Sequence, residues 1–362
     1  MKILVTGADG FIGKHTCNAL KKHLYDVIPF DTNNSEEELI TSLKEANFII
    51  HLAGVNRPLS NKEFYDGNTN FTKHLVDTLK SLNKQTPIIM SSSIQAELDN
   101  DYGKSKKLAE EYLFNSGLPV YIFRFANVFG KWCKPNYNSV CATFCYNIAH
   151  NSPIYIRDEN YIVSYNYIDD VVKRIIDCLL ENKGNKEIQY VNPTYRCSLK
   201  QLSDLLYYFK REVESDRHLP IIHNDFELKL FITFCNYLSD EGYDFNYAED
   251  NRGTFEEIFK SKRCGQISIN KSYPHIIKGD HYHKYKKEIF MTVKGNCLIR
   301  ERKIGSNEIL EYKVNGDNPK PIDIYTGYTH DITNIGDDIS TTLMWISEIY
   351  NEESPDTYKE DV

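Results

Sequence analysis

The chain opens MKILVTGADGFIG, and no other stretch constrains its fold as tightly. A short apolar run, Lys2–Thr6, leads directly into Gly7, Gly10 and Gly13, spaced G-x-x-G-x-x-G, and then into helical spacing over Phe11–His23. A strand that turns through glycines into a helix is the opening unit of a doubly wound parallel sheet. The glycines allow the main chain to approach a phosphate, and the helix N-terminus attracts its charge. Glycines alone would serve any tight turn. Their place at the first strand–helix junction is what points to a dinucleotide. Asp31 ends the next strand, Asp26–Phe30, where a carboxylate accepts a ribose 2′-hydroxyl and favours NAD over NADP.

The alternation continues. Asn47–Leu52, Pro87–Met90 and Val120–Phe125 have the apolar character of buried strands, and Asn68–Leu82 and Tyr102–Asn115 have helical spacing. Ile168–Glu181, Leu199–Arg211 and Phe226–Leu238 are predicted as three more helices. After about Asp250 the texture changes. GQISINKSY, KEIFMTVKGNCLIRER, EILEYKV and STTLMWISEIY read as strands between Gly, Asn and Asp turns, and no helix is expected after Phe259. The expectation is an α/β Rossmann domain over residues 1–245 and an all-β barrel over 246–362, with the boundary in the polar stretch Ser239–Asp250.

The 362 residues carry a net charge of -8, which argues against a general nucleic-acid surface. No apolar run approaches the ~20 residues of a membrane span. The nine cysteines include no C-x-x-C pair, and the N-terminus has no signal-peptide pattern, so reduced thiols and a cytoplasmic location are expected.

A Y-x-x-x-K pattern occurs at Tyr102/Lys106 and again at Tyr282/Lys286, about as often as chance allows in so tyrosine-rich a chain. Context separates the two. Tyr102 starts a helix just after a strand that runs into Ser91, Ser92 and Ser93. Residues i and i+4 share a helix face, so Lys106 can lie near the Tyr102 hydroxyl and lower its pKa. Ser93 can hydrogen-bond a substrate carbonyl while Tyr102 supplies the proton that accompanies hydride transfer.

As a set, TGADGFIG, HLAGVN (His51–Asn56), the serine run, Y-x-x-x-K, FRFANVFG and YIDDVV (Tyr167–Val172) resemble the extended short-chain dehydrogenase/reductases that act on nucleotide sugars. The resemblance implies Ser93, Tyr102 and Lys106 as the catalytic triad. It implies a cofactor site of Gly7, Gly10, Phe11, Ile12, Gly13, Asp31, Leu52, Ala53 and Gly54, together with Tyr102 and Lys106. Arg124 and Asn127 are implied on the substrate side. Ile94 and Gln95 follow Ser93 where the 4,6-dehydratases carry an Asp-Glu pair, which argues against water elimination and leaves carbonyl reduction or redox epimerisation.

Near the other end stands GDHYHKYKKEIFMTVKG, with His281, His283 and Glu288 close together and His330 further on in TGYTHDITN. Alternation along a strand turns His281 and His283 to one face. Three imidazoles and a carboxylate suit zinc or another divalent metal. His281–Gly295 and Gly327–Asn334 resemble the two cupin motifs, although Tyr325 stands where proline is usual. Lys284, Lys286 and Lys287 are expected in a solvated turn, and His15, His23 and His74 at ordinary surface or helix positions.

A Lewis acid on a ketone oxygen acidifies the neighbouring C–H. A 4-keto sugar could thus be inverted at C3 in the barrel and reduced at C4 in the Rossmann domain. The whole order, with GKWCKPNYNS (Gly130–Ser139), HLAGVNRP and PDTY (Pro355–Tyr358), resembles the bifunctional capsular polysaccharide enzymes of the CapF type, a reductase fused to a cupin. That resemblance implies a UDP-2-acetamido-2,6-dideoxy-4-ketohexose substrate on the route to UDP-N-acetyl-L-fucosamine, NADPH as reductant, and a homodimer. Asp31 conflicts with NADPH, because a carboxylate repels a 2′-phosphate and FDTNNSEEE offers no compensating base. A narrower reading keeps the keto reductase alone, with the cupin as a binding or dimerisation module.

Overall fold

The structure, a computed structural model, describes residues 1–181, 187–214, 218–238 and 246–362. Residues 239–245, within the expected boundary, lie outside the described set. The chain divides into two compact units, one of residues 1–207 with 224–238 and one of residues 208–223 with 239–362. Among the described residues no helix is long and apolar enough to cross a membrane.

The first unit is built on β1 (Lys2–Thr6), β2 (Asp26–Phe30), β3 (Phe48–His51), β4 (Ile88–Ser93), β5 (Val120–Phe125), β6 (Asn127–Phe129), β7 (Ile162–Tyr167), β8 (Ile188–Gln189) and β9 (Tyr195–Ser198). Six strands form one sheet in the order β2-β1-β3-β4-β5-β8, parallel throughout. Runs such as ILV and FII are apolar at every position because helices cover both faces of a parallel sheet. Leu4, Ile49, Ile88 and Ile122 are fully buried with Leu39, Leu43, Leu75 and Leu79 from the helices. The order reverses between β1 and β3, which opens a crevice at their C-terminal ends. A second, three-stranded sheet holds β6, β7 and β9.

Several elements lie outside the sequence reading. Helix Glu36–Glu45 starts at a capping box, in which Ser35 Oγ accepts the Glu38 N–H and the Glu38 carboxylate accepts the Ser35 N–H. Helix Val140–Ala149 is capped by Ser139. The helix expected from Asn68 is preceded by a π-helical segment, Tyr65–Asn70, and becomes α-helical over Phe71–Ser81. Helix Leu199–Glu214 runs three residues past the expected end.

The second unit is strand-rich after Asn246, with no helix among its described residues beyond that point. Seven strands form one sheet and five another. Phe290, Ile324 and Met344 from the first sheet pack with Cys297, Ile299, Val314 and Ile332 from the second, so the two inner faces share one core. Strands Ile277–Tyr282 and Tyr328–Asn334 pair antiparallel and place His281 opposite His330.

Candidate functional sites

The crevice of the first unit contains a cavity of about 530 Å³. Gly7, Gly10, Phe11, Ile12, Gly13, Leu52 and Gly54 line it, together with Ser93, Tyr102, Lys106 and Asn127. Gly7 has φ +71°, and a Cβ on Gly13 would stand 2.0 Å from the Gly7 carbonyl oxygen. Only glycine permits that approach of helix to strand. Thr6 steadies the floor: its hydroxyl meets His51 Nδ1 at 2.7 Å and accepts the Ala53 N–H at 3.3 Å. Burial and the Lys106 charge lower the His51 pKa to about 3, so this imidazole is neutral scaffold. Asp31 accepts the N–H groups of Asp9 and Thr32, each at 2.8 Å, and so ties the end of β2 to the glycine turn.

Helix Asp101–Phe114, capped by Asn100, carries Tyr102 and Lys106. Burial raises the Tyr102 pKa and the Ser93 hydroxyl pulls it back. The lowering expected from Lys106 is not the dominant effect in this arrangement. The lysine instead donates to the Ser91 carbonyl oxygen at 3.1 Å. Its own pKa is lowered to about 8 by burial, against the opposing charge of Glu110. The phenol is therefore a protonated group, suited to giving up a proton.

Asn68, buried in the π-helical segment, holds this centre together. It accepts the Val55 N–H at 3.0 Å and donates to the Val55 carbonyl at 2.9 Å and to Ser105 Oγ at 3.0 Å. Nothing in the sequence singled it out, because its role depends on two distant segments. Trp132, Lys134 and Tyr137 also line the cavity. His15 takes the helix position expected of it, on helix Phe11–Lys22, and is buried there: it stacks on Trp132 with ring centres 4.5 Å apart and pairs with the Lys131 carbonyl. Arg124, assigned above to substrate, does not line the cavity. Its guanidinium forks onto Glu110 at 3.0 and 2.7 Å and reaches Glu97 at 2.8 Å.

In the second unit the side chains of His281, His283, Glu288 and His330 converge, with one ligand atom from each all within 4.8 Å of one another. The strand pairing delivers His281 and His330, and Glu288 begins the facing strand Glu288–Lys294. Glu288 Oε2 lies 3.1 Å from His330 Nε2 and 3.4 Å from His283 Nε2. All three atoms are buried without a hydrogen-bond partner. Orphaned donors and acceptors facing one point fit a cation that uses their lone pairs. Burial, with the His330 charge, lowers the His281 pKa to about 4. For Glu288 burial acts upward, but the His283 and His330 imidazoles outweigh it and hold the carboxyl at about 2. The His281 imidazole is thus neutral and the Glu288 carboxyl ionised, the forms a metal needs, whereas His283, which burial pushes down but Glu288 raises on balance, would release a proton when a cation binds.

A cavity of about 240 Å³ opens on these groups, with Phe255, Phe290, Met344 and Ile346 on its apolar side. Lys284 and Lys287 are exposed, as expected of a turn. Lys286 is not: it is buried, gives its ammonium to the Pro355 carbonyl and lines the cavity. The C-terminal tail covers it, a contact no local pattern foretells. Glu301 is a further buried carboxyl opposite His330, with its pKa raised by burial.

A dinucleotide crevice with a Ser-Tyr-Lys centre defines a short-chain reductase of the nicotinamide-dependent class. Residues 3–191 match the NAD dependent epimerase/dehydratase family, and residues 248–358 match the polysaccharide biosynthesis C-terminal domain. The chain is 38% identical to a UDP-2-acetamido-2,6-beta-L-arabino-hexul-4-ose reductase of Pseudomonas aeruginosa, over 99% of this chain and 98% of the relative. It superposes on the crystal structure of the capsular polysaccharide assembling protein CapF from Staphylococcus aureus with a TM-score of 0.91 and 43% identity, covering all of both chains. A UDP-glucuronic acid 4-epimerase from Bacillus cereus in complex with NAD shares the fold of 66% of the chain, with a TM-score of 0.56 and 19% identity. The chain belongs to the NAD-dependent epimerase/dehydratase family, and within it to the CapF type, which carries the polysaccharide biosynthesis domain at its C-terminus.

Proposed function

We propose that the chain acts twice on one UDP-2-acetamido-2,6-dideoxy-4-ketohexose: it epimerises C3 in the C-terminal unit and reduces the C4 ketone in the N-terminal unit, toward UDP-N-acetyl-L-fucosamine. The observation that carries this reading is the presence, on one chain, of two separate proton-handling centres, each suited to a carbonyl. In the first, the nicotinamide supplies hydride. Ser93 holds the carbonyl oxygen, and the half-buried Tyr102 phenol delivers the proton that neutralises it. Lys106 places a cation beneath the same site. Asn127, which also lines the cavity, orients the nucleotide sugar.

In the second, a divalent cation such as zinc, held by His281, His283, Glu288 and His330, supplies Lewis acidity toward a ketone oxygen. The C-terminal unit is read as a cupin on that ligand set and its two packed sheets. The apolar wall of Phe255, Phe290, Met344 and Ile346 suits the methyl group of a 6-deoxy sugar.

The reductant is read as NADH. Asp31 lies beside the glycine turn, and the N-terminus of helix Glu36–Glu45, the nearest anion-attracting feature in that stretch, is already filled by its own capping box and three glutamates. A 2′-phosphate would meet carboxylates there.

The test incubates the protein with UDP-4-keto-6-deoxy-N-acetylhexosamine in heavy water, with and without NADH, and follows products by NMR. Deuterium enters C3 without NADH, and C4 is reduced when it is added. Tyr102→Phe stops NADH oxidation while C3 exchange continues, and His281→Ala stops C3 exchange while an already epimerised substrate is still reduced. Loss of both activities in each folded variant contradicts the division of labour.

A further inference from the structure

His283 stands one residue past the end of strand Ile277–Tyr282, in the turn that leads to Glu288. Asp356, in the C-terminal tail, clasps that turn. The Asp356 carboxylate accepts three successive main-chain N–H groups, from Lys284 at 3.1 Å, Tyr285 at 2.9 Å and Lys286 at 3.0 Å. The main-chain carbonyl of the same residue pairs with His283 Nδ1. To present both groups, Asp356 adopts φ +42°, in the left-handed region that non-glycine residues seldom enter.

The chemistry of that pairing fixes a proton. A carbonyl oxygen can only accept, so Nδ1 of His283 must carry the hydrogen. Nε2 is then left with its lone pair, buried, without a partner and 3.4 Å from Glu288 Oε2. This is the tautomer and the orientation a cation requires of an imidazole. The tail around Asp356 is docked by other contacts: Tyr358 and Lys359 pair with Tyr282 and His281, and Tyr358 stacks on Tyr282 at 5.2 Å between ring centres. Losing the Asp356 side chain therefore loosens the turn without releasing the tail.

We propose that Asp356 is a positioning residue for the cation site: it sets the tautomer of His283 and holds the turn that carries it. The proposal rests on the reading of His281, His283, Glu288 and His330 as a divalent-cation site.

Zinc affinity of the full-length protein, measured by competition with a chromophoric chelator, tests it. Asp356→Ala keeps the main-chain carbonyl but removes the clasp on the turn that carries His283, and weakens binding about 10- to 100-fold, the usual cost of losing an outer-shell partner. Asp356→Gly, relieved of any penalty at positive φ, weakens it equally. Nitrogen-15 NMR of the unsubstituted protein finds His283 protonated at Nδ1 both with and without zinc. Affinity within twofold of the parent in the alanine variant overturns the proposal. So does recovery in the glycine variant, which would make strain the cause, or a His283 Nδ1 that carries no proton. The NMR measurement decides even where a variant does not fold. Less than one equivalent of zinc on the unsubstituted protein is a separate outcome, which removes the cation reading and this proposal with it.

Discussion

The Lys106 ammonium donates to the carbonyl oxygen of Ser91, and a Cβ at Gly54 would come within 2.9 Å of its nitrogen. The cation is thus fixed between the second half of the glycine crevice and the strand that ends in Ser93. Its burial gives a pH dependence with a definite sign. The folded pKa of about 8 lies below the ordinary lysine value, so the charge is present at pH 7 and is lost as pH rises through 8. The kcat/KM for keto reduction is expected to be flat below pH 7 and to fall above pH 8, approaching tenfold per unit. Lys106→Met lowers kcat by about 10²- to 10⁴-fold, in the range of a lost acid–base partner, and abolishes that limb. A pH–rate profile with no limb between pH 7 and 9 would contradict the assignment.

Cofactor choice follows from Asp31. NADH is expected to be preferred to NADPH by at least about tenfold in kcat/KM, and NADH fluorescence on binding should show the same order without turnover. Asp31→Ser narrows the ratio, chiefly by improving NADPH. Equal affinity for the two nucleotides in the unsubstituted protein would show that another group receives the 2′-phosphate.

Gly13→Ala sets a methyl group 2.0 Å from the Gly7 carbonyl and 2.9 Å from Ala8 main-chain atoms. Backbone on both sides has to move, which costs about 1–3 kcal/mol and displaces the helix N-terminus from the phosphate position. Urea unfolding should lose stability of that order, and nucleotide binding should weaken more than tenfold. Gly305→Ala is the control: a Cβ there meets nothing within 4 Å, so any loss comes from its φ of +80° alone, and nucleotide affinity is unchanged.

Arg124 is expected to matter for folding before substrate. Its partner Glu110 is buried, and Arg124→Met leaves that carboxylate without its fork of donors. Breaking one side of a buried pair costs about 3–5 kcal/mol. The melting temperature should fall sharply while KM for the nucleotide sugar, measured below the transition, changes less than threefold. A large KM effect with an unchanged melting temperature would return Arg124 to the substrate.

Much of this was readable from the sequence because it is local. The glycine array sits within seven residues, Tyr102 and Lys106 share one helical turn, and two ligands of the metal group share one strand's end. Strand pairing then brought His330 to His281, as the matching motifs implied. What could not be read is carried by contacts between distant segments. Asn68 acts through Val55 and Ser105, His15 is buried by Trp132, and Lys286 is covered by Pro355. The fork of Arg124 onto Glu110 joins a strand to a helix 14 positions away. None of these leaves a periodic trace. The capping box at Ser35 was legible in principle, since S-x-x-E is written in FDTNNSEEEL.

Glu110 lies one turn beyond Lys106, and besides the guanidinium it takes the hydroxyl of Ser92, next to Ser93. One carboxylate therefore braces the proton-donating helix against the two strands that frame the carbonyl. The spacing of phenol and serine is therefore set by a buried carboxylate inside the framework and does not depend on the exposed loops around the crevice.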